Sequence, residues 1–214
     1  MKCNICKTLT KKIIDDKMSK LYHQCSNCET IWLDNGFFVD KTKEKMQYEN
    51  HNNSFESTGY VKMFEDFLNY FWQDLPNNYT DAFDFGSGPG PVLAEILKQR
   101  GLNVDCYDKF YQPFKIYENK KYDLITSTEV FEHIQNPLET LKLFKDHLKQ
   151  DGLISIMTLF HKNDTEEFLN WWYRRDPTHI SFYTPHSFEV MAHMCGLKVI
   201  KHDNKRVIIL TSLE

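Results

Sequence analysis

The sequence predicts an α/β fold: a mostly parallel sheet whose last strand runs antiparallel, preceded by a small module that folds on a metal. Three observations carry this. An apolar run, Asp81-Ala82-Phe83-Asp84-Phe85, stops at three alternating glycines, Gly86, Gly88 and Gly90, and an amphipathic helical pattern follows at once. Apolar runs then alternate with helical patterns until two of them, 197–200 and 206–210, face each other across Asp203-Asn204 as an antiparallel pair. At the amino terminus two Cys-x-x-Cys pairs, Cys3/Cys6 and Cys25/Cys28, are separated by 18 residues.

A chain of 214 residues suits one α/β domain plus a small appendage. Twenty-six basic against 30 acidic side chains give a net charge of -4, and no run of basic residues exceeds short pairs such as Lys11-Lys12 and Arg174-Arg175. That balance argues against a broad nucleic-acid-binding face. No run of 18 apolar residues and no signal-peptide pattern is present, so a cytoplasmic protein without a membrane span is expected. The divisions expected are 1–38, 39–78 and 79–214; oligomeric state leaves no mark on the sequence.

In the first division, Cys3, Cys6, Cys25 and Cys28 have the spacing at which four thiolates surround one tetrahedral zinc ion. Disulfides are disfavoured in a reducing compartment. Short alternating runs at 9–14 and 21–24 predict a hairpin and 30–33 a third strand, a zinc ribbon too small for a core of its own. Residues 1–38 carry a net +2, which a zinc–tetrathiolate centre of charge -2 cancels. A neutral ribbon reads phosphates poorly, which favours a structural or substrate-shaping role.

The second division is polar and helix-prone. From Ser57 or Thr58, which can cap a helix, Val61, Phe64, Leu68 and Phe71 recur at helical spacing. Tyr48, His51 and Tyr60 are candidate lid or substrate residues; the alternative is packing and a hydrated loop.

The third division opens on the glycine loop. Glycines permit φ > 0 and a close backbone approach to a ligand, Pro91 suits a first helical turn, and the helix ends at Gly101. A dinucleotide fingerprint would need glycine at 91, and a phosphate loop would need Gly-Lys-Ser/Thr. The remaining pattern, Asp84-x-Gly86-x-Gly88-x-Gly90, resembles the first motif of the class I S-adenosylmethionine (SAM) dependent methyltransferases. Asp108, after the next apolar run, stands where a carboxylate accepts ribose hydroxyls. The resemblance implies a Rossmann-like sheet with cofactor contacts from Asp84, Gly86, Ser87, Gly88, Gly90, Asp108, Ser127, Thr128 and Glu129. Only 13 residues separate Asp108 from the strand pattern at 122–127, too few for a crossover helix and a third strand. The strand-three region is therefore contracted, and the acid that meets adenine there has no counterpart.

After 122–127 comes Glu129-Val130-Phe131-Glu132-His133, resembling the fourth motif of small-molecule methyltransferases. On one helical turn Glu129, Glu132 and His133 share a face. With His179 they can hold a divalent cation such as Mg²⁺, a pattern similar to metal-assisted 2′-O-methyltransferases of RNA 3′ ends and to quinone-biosynthesis O-methyltransferases. Without metal, His133 or His179 is the candidate general base. Asn136-Pro137 starts a helix expected to end at Asp151-Gly152, and a strand is expected at 153–160. The aromatic stretch at 168–175, with Trp171 and Trp172, is a candidate substrate wall. The reading is a SAM-dependent O-methyltransferase of a small metabolite. Its alternatives are a metal-dependent RNA ribose methyltransferase and a zinc-bearing SAM-fold binding module without turnover.

Overall fold

In the computed structural model, which describes residues 1–49 and 56–213, strand β1 (Thr10–Asp15) turns back into β2 (Lys20–Cys25) in register from Thr10 opposite Cys25 to Asp15 opposite Lys20. Strand β3 (Ile31–Leu33) pairs antiparallel with β2. The expected hairpin and third strand are present, and a fourth strand joins them from far along the chain. This is β8 (Ser181–Phe182), antiparallel to β3, so the sheet order is β1-β2-β3-β8. Too small to bury a core alone, the ribbon borrows one. Ile13, Tyr22, Ile31 and Leu33 cluster with Phe168, Tyr173, Ile180 and Phe182. Cys3, Ile5, Cys25, Cys28 and Trp32 share the main core with Phe131, Phe160, Tyr183 and Phe188.

Helix α1 (Lys41–Glu49) forms within the polar connector, where Asp40 accepts hydrogen bonds from the backbone N–H groups of Thr42 and Lys43. It buries no residue. Helix α2 (Thr58–Asn69) starts at Ser57 without a side-chain cap bond and packs Phe64, Phe67 and Leu68 against Val92, Leu93, Ile96 and Leu97 of α3 (Val92–Gln99).

The second sheet grows outward from β4 (Asp81–Phe85), parallel to β5 (Asn103–Tyr107) on one side and β6 (Tyr122–Thr128) on the other. Strand β7 (Leu148–Met157) follows parallel to β6, and β10 (Val207–Ser212) lies antiparallel between β7 and β9 (Leu197–His202). The order β5-β4-β6-β7-β10-β9 is the predicted sheet with its reversed last strand. Helix α4 (Pro137–Asp146) ends five residues before the expected Asp151, because Leu148 already pairs with Tyr122 and His147 serves as the cap. Helices α5 (Thr165–Asn170) and α6 (Pro185–Met194) complete the chain, α6 with a capping box between Thr184 and Ser187.

No strand follows β5 before β6 among the described residues. Asp108 and Gln112 instead exchange backbone hydrogen bonds of 3.0 Å in a tight reversal, leaving β5 as the sheet edge. Buried Tyr117 from this short segment packs on Phe83 at 5.1 Å and on Tyr107 at 5.4 Å, closing the face that a longer crossover would cover. Among the described residues no helix is long and apolar enough to cross a membrane.

Candidate active site

A cavity of about 760 Å³ opens at the carboxyl ends of β4, β5 and β6, where the strands deliver Asp84 to Gly88, Asp108 and Thr128 to Glu132. Gly86 has φ of 82°, and a Cβ there would run into the Val130 side chain, so only glycine lets the chain turn beneath this loop. Asp108 locks the loop from below. One carboxylate oxygen accepts from the Gly88 N–H (3.1 Å), the other from the N–H groups of Phe110 (2.8 Å) and Tyr111 (3.1 Å). The Tyr111 hydroxyl, on the cavity wall, is enclosed without a hydrogen-bond partner among the described residues. An enclosed donor of that kind is costly unless a ligand or water meets it.

The far wall carries a second constellation. Phe131–His133 form a tight helical turn that places Glu132 fully buried, with no hydrogen-bond partner for either carboxylate oxygen among the described residues. His133 directs Nδ1 to the Thr178 carbonyl (2.9 Å), and His179 directs Nδ1 to the Tyr173 carbonyl (2.7 Å). A carbonyl oxygen only accepts, so each Nδ1 carries the proton. The two rings stand 4.8 Å apart, His133 Nε2 lies 3.8 Å from Glu132 Oε1, and one ligand atom from each of Glu132, His133 and His179 falls within 4.8 Å of the others. Burial, with His179 beside it, pushes His133 down to about 3 and keeps it neutral. Burial and the neighbouring Glu129 push Glu132 up.

The four ribbon cysteines form another group, all four sulfurs within 4.8 Å of one another. Cys3 and Cys28 sulfurs are 3.5 Å apart and those of Cys6 and Cys25 are 3.4 Å apart, too long for disulfide bonds. Four Zn–S bonds in a tetrahedron put sulfurs about 3.8 Å apart, so the cluster fits that ion.

A family model described as "Methyltransferase domain" matches residues 51–202, more than half of the chain. The chain belongs to the SAM-dependent methyltransferase family. The methyltransferase is similar to two ubiquinone biosynthesis O-methyltransferases. It is 38% identical to that of Glaesserella parasuis over 73 residues, and 28% identical to that of Actinobacillus pleuropneumoniae over 82. These matches span 32% and 36% of the chain and 30% and 35% of the relatives, so the chain matches about a third of their length. Among solved structures, mitomycin 7-O-methyltransferase overlays with a TM-score of 0.56 at 13% identity, over 80% of this chain and 57% of that one. The magnesium protoporphyrin IX methyltransferase of Synechocystis PCC 6803 overlays with a TM-score of 0.53 at 13% identity, over 79% and 92%. At such identities these two overlays speak for the fold.

The methyltransferase places Asp84, Gly86, Ser87, Gly88, Asp108, Thr128 and Glu129 on the cavity wall, with Tyr48, Tyr60 and Trp172. Gly90 lies beyond it, and Ser127 is buried within β6. Glu129 does not share a helical face with Glu132 and His133. Its φ of 54° sets it before the turn, and its carboxylate accepts from the Tyr173 hydroxyl (3.2 Å). Trp171 turns away, 5.0 Å from Tyr173 and 6.1 Å from Phe182 on the ribbon side. His51 lies outside the described residues. Sequence reasoning missed the parts played by Tyr173, Arg174 and Tyr111, because tyrosines and arginines scatter through any chain and here only tertiary contacts single them out.

Burial drives the Asp84 carboxyl up to about 7, with Asp108 adding to the rise and the Thr126 hydroxyl, donating at 2.9 Å, opposing it. Between about pH 4 and 7 the folded chain keeps a proton that the unfolded chain has released. The Asp84 contribution to stability therefore falls as pH rises through that window and is least favourable above about 7. Asp84→Asn is expected to melt level with the wild type near pH 4 and above it near pH 8. Groups such as Glu132 and His133 are common to both proteins and cancel in the comparison. A melting difference that stays constant with pH would show that Asp84 is not the source.

Proposed function

We propose that this protein transfers the methyl group of SAM to a hydroxyl of a small-molecule acceptor, with Glu132, His133 and His179 holding a divalent cation at the acceptor. One observation carries the reading. A buried carboxylate with no hydrogen-bond partner among the described residues faces two imidazoles whose Nδ1 atoms are pinned to backbone carbonyls, the arrangement that orients metal-ligating histidines. A cation such as Mg²⁺ bound there would lower the pKa of the acceptor hydroxyl and orient it. The O-directed assignment follows the two ubiquinone O-methyltransferases to which part of the chain is similar.

The remaining work is alignment and exclusion of water. The Gly86–Gly88 loop, Asp84 and Asp108 line the donor side of the cavity, the loop held by bonds from its N–H groups to the Tyr107 carbonyl and the Asp108 carboxylate. Tyr48, from α1, sets its ring edge against His133 at 5.0 Å, and Tyr60, from α2, covers the cavity near Asp84 and Glu129. Lys109 Nζ bonds Glu44 (2.6 Å), whose carboxylate also accepts from the Tyr48 hydroxyl (2.9 Å), tying α1 to the donor loop. The ribbon cysteines are assigned a structural zinc ion.

The zinc-loaded protein should be titrated with S-adenosylhomocysteine (SAH) and then with Mn²⁺. SAH should bind, and Asp108→Ala should weaken it roughly 10- to 100-fold by removing charge-assisted bonds and freeing the loop. Mn²⁺ should bind outside the ribbon, and Glu132→Gln should abolish that site. Radiolabelled SAM should then mark hydroxylated small molecules. A folded protein that takes no SAH ends the methyltransferase reading in favour of a different binding role, and label on RNA 3′ riboses overturns the acceptor class.

A further inference from the structure

Arg174 is a fully charged side chain in an interior position. It is 2% exposed, and its partner Asp15, at the end of β1, is also 2% exposed. The guanidinium donates to Asp15 through Nη1, and Nε donates to the carbonyls of Phe168 (2.9 Å) and Leu169 (3.0 Å) at the end of α5. One side chain thus joins the ribbon, α5 and the turn at 173–175.

The residues on either side of Arg174 face the cavity. Tyr173 lends its carbonyl to His179 Nδ1 and its hydroxyl to Glu129, while Arg175 lines the mouth beside Trp172. A second tie lies on the other side of His179. The Leu33 N–H of the ribbon donates to the Ile180 carbonyl (2.8 Å), and the Ile180 N–H donates to the Glu132 carbonyl (2.8 Å). His179 therefore sits between two attachments to the ribbon, and Glu132 is one backbone bond further on.

We infer that the Asp15/Arg174 ion pair is a positioning element through which the amino-terminal ribbon sets Tyr173 and His179, and with them the acceptor end of the site. Docking alone does not require the pair. The β3/β8 pairing and the apolar cluster around Tyr22, Phe168 and Phe182 already join the two parts. A buried ion pair is often matched or exceeded in stability by apolar residues of similar volume. What apolar residues cannot replace is the directed fork from Asp15 to the carbonyls of α5, which fixes the rotation of the turn. The inference rests on reading Glu132, His133 and His179 as a cation site.

The test uses the full zinc-loaded chain, with SAH and Mn²⁺ as probes. The double variant Asp15→Leu/Arg174→Met removes both charges at similar volume and is expected to melt close to the wild type. Its SAH affinity should stay within about twofold, since no loop contact involves the pair, while Mn²⁺ binding weakens about tenfold or more. Amide exchange across 173–180 should accelerate. Asp15→Asn, which leaves Arg174 charged and buried, should melt lower but weaken Mn²⁺ binding likewise, and decides the matter if the double variant does not fold; Asp15→Glu, which keeps the charge pair, should recover most of the Mn²⁺ affinity. Folded variants with wild-type Mn²⁺ affinity and wild-type protection at 173–180 overturn the inference, as does an equal loss of SAH and Mn²⁺ binding. If the wild type takes up no Mn²⁺, the cation site falls, and unchanged exchange at 173–180 in the variants would then sink the positioning role separately.

Discussion

His179→Ala is expected to lower methyl transfer by about 10²- to 10⁴-fold while SAH affinity stays within about twofold. The separation follows from where the side chain stands. Its ring is 4.8 Å from that of His133 and 4.2 Å from that of Tyr173, on the wall opposite the glycine loop, and no contact of Asp108 or Gly88 depends on it. On the proposed reading, removing it takes one ligand from the cation site and leaves the buried Glu132 side chain with His133 as its nearby imidazole. Because the interaction matters to the acceptor hydroxyl only as it loses its proton, kcat and kcat/KM should fall together. Turnover within tenfold of wild type, measured with saturating SAM and Mg²⁺, would show that the acceptor proton leaves by another route.

The parts of this molecule that were legible in the sequence are those encoded over short distances. The turn at Gly86 needs a glycine for steric reasons that involve one neighbour, Val130, and the strand, loop and helix around it follow within 20 residues. The Cys-x-x-Cys pairs likewise declare their geometry through spacing alone. The acceptor wall is different. A helical face for Glu129, Glu132 and His133 assumes a continuous turn, and the left-handed φ at Glu129 breaks it in a way that no residue pattern announces. Strand β8 is two residues long, too short for any periodicity, yet it binds the ribbon to the site. The Asp15/Arg174 pair spans 159 residues of chain and looked like an ordinary basic doublet until the fold brought a buried carboxylate to it.

On the proposed reading of the ribbon cysteines as a zinc centre, metal removal is the other large effect. Stripping the ribbon metal with a chelator, or Cys28→Ser, is expected to lower the melting temperature by about 10–20 °C. The range corresponds to about 5 kcal/mol at the scaling usual for a chain of this size, well inside what zinc supplies to small ribbon folds. Cys28 is wholly buried among Cys3, Cys25 and Trp32, and the ribbon has no disulfide to hold its knuckles in the metal's place. Once the knuckles open, the loss spreads along the bonds that tie them to the rest of the fold. The second knuckle holds the start of α6 through Glu29, whose carboxylate accepts from the Thr184 hydroxyl at 2.7 Å, and its Glu29 carbonyl is bonded to His161 at 3.0 Å. Trp32, 3% exposed when the ribbon is folded, should then shift its emission to the red, and amide protection at β3 and β8 should fall together. An apo-protein that melts within about 2 °C of the loaded form would mean that the four thiols hold the ribbon without a metal. The burial of Ile13, Tyr22 and Leu33 against Phe168 and Phe182 would then have to supply the whole of its stability, which eight clustered side chains at about 25 cal/mol per Å² can do only if the unfolded ribbon stays compact.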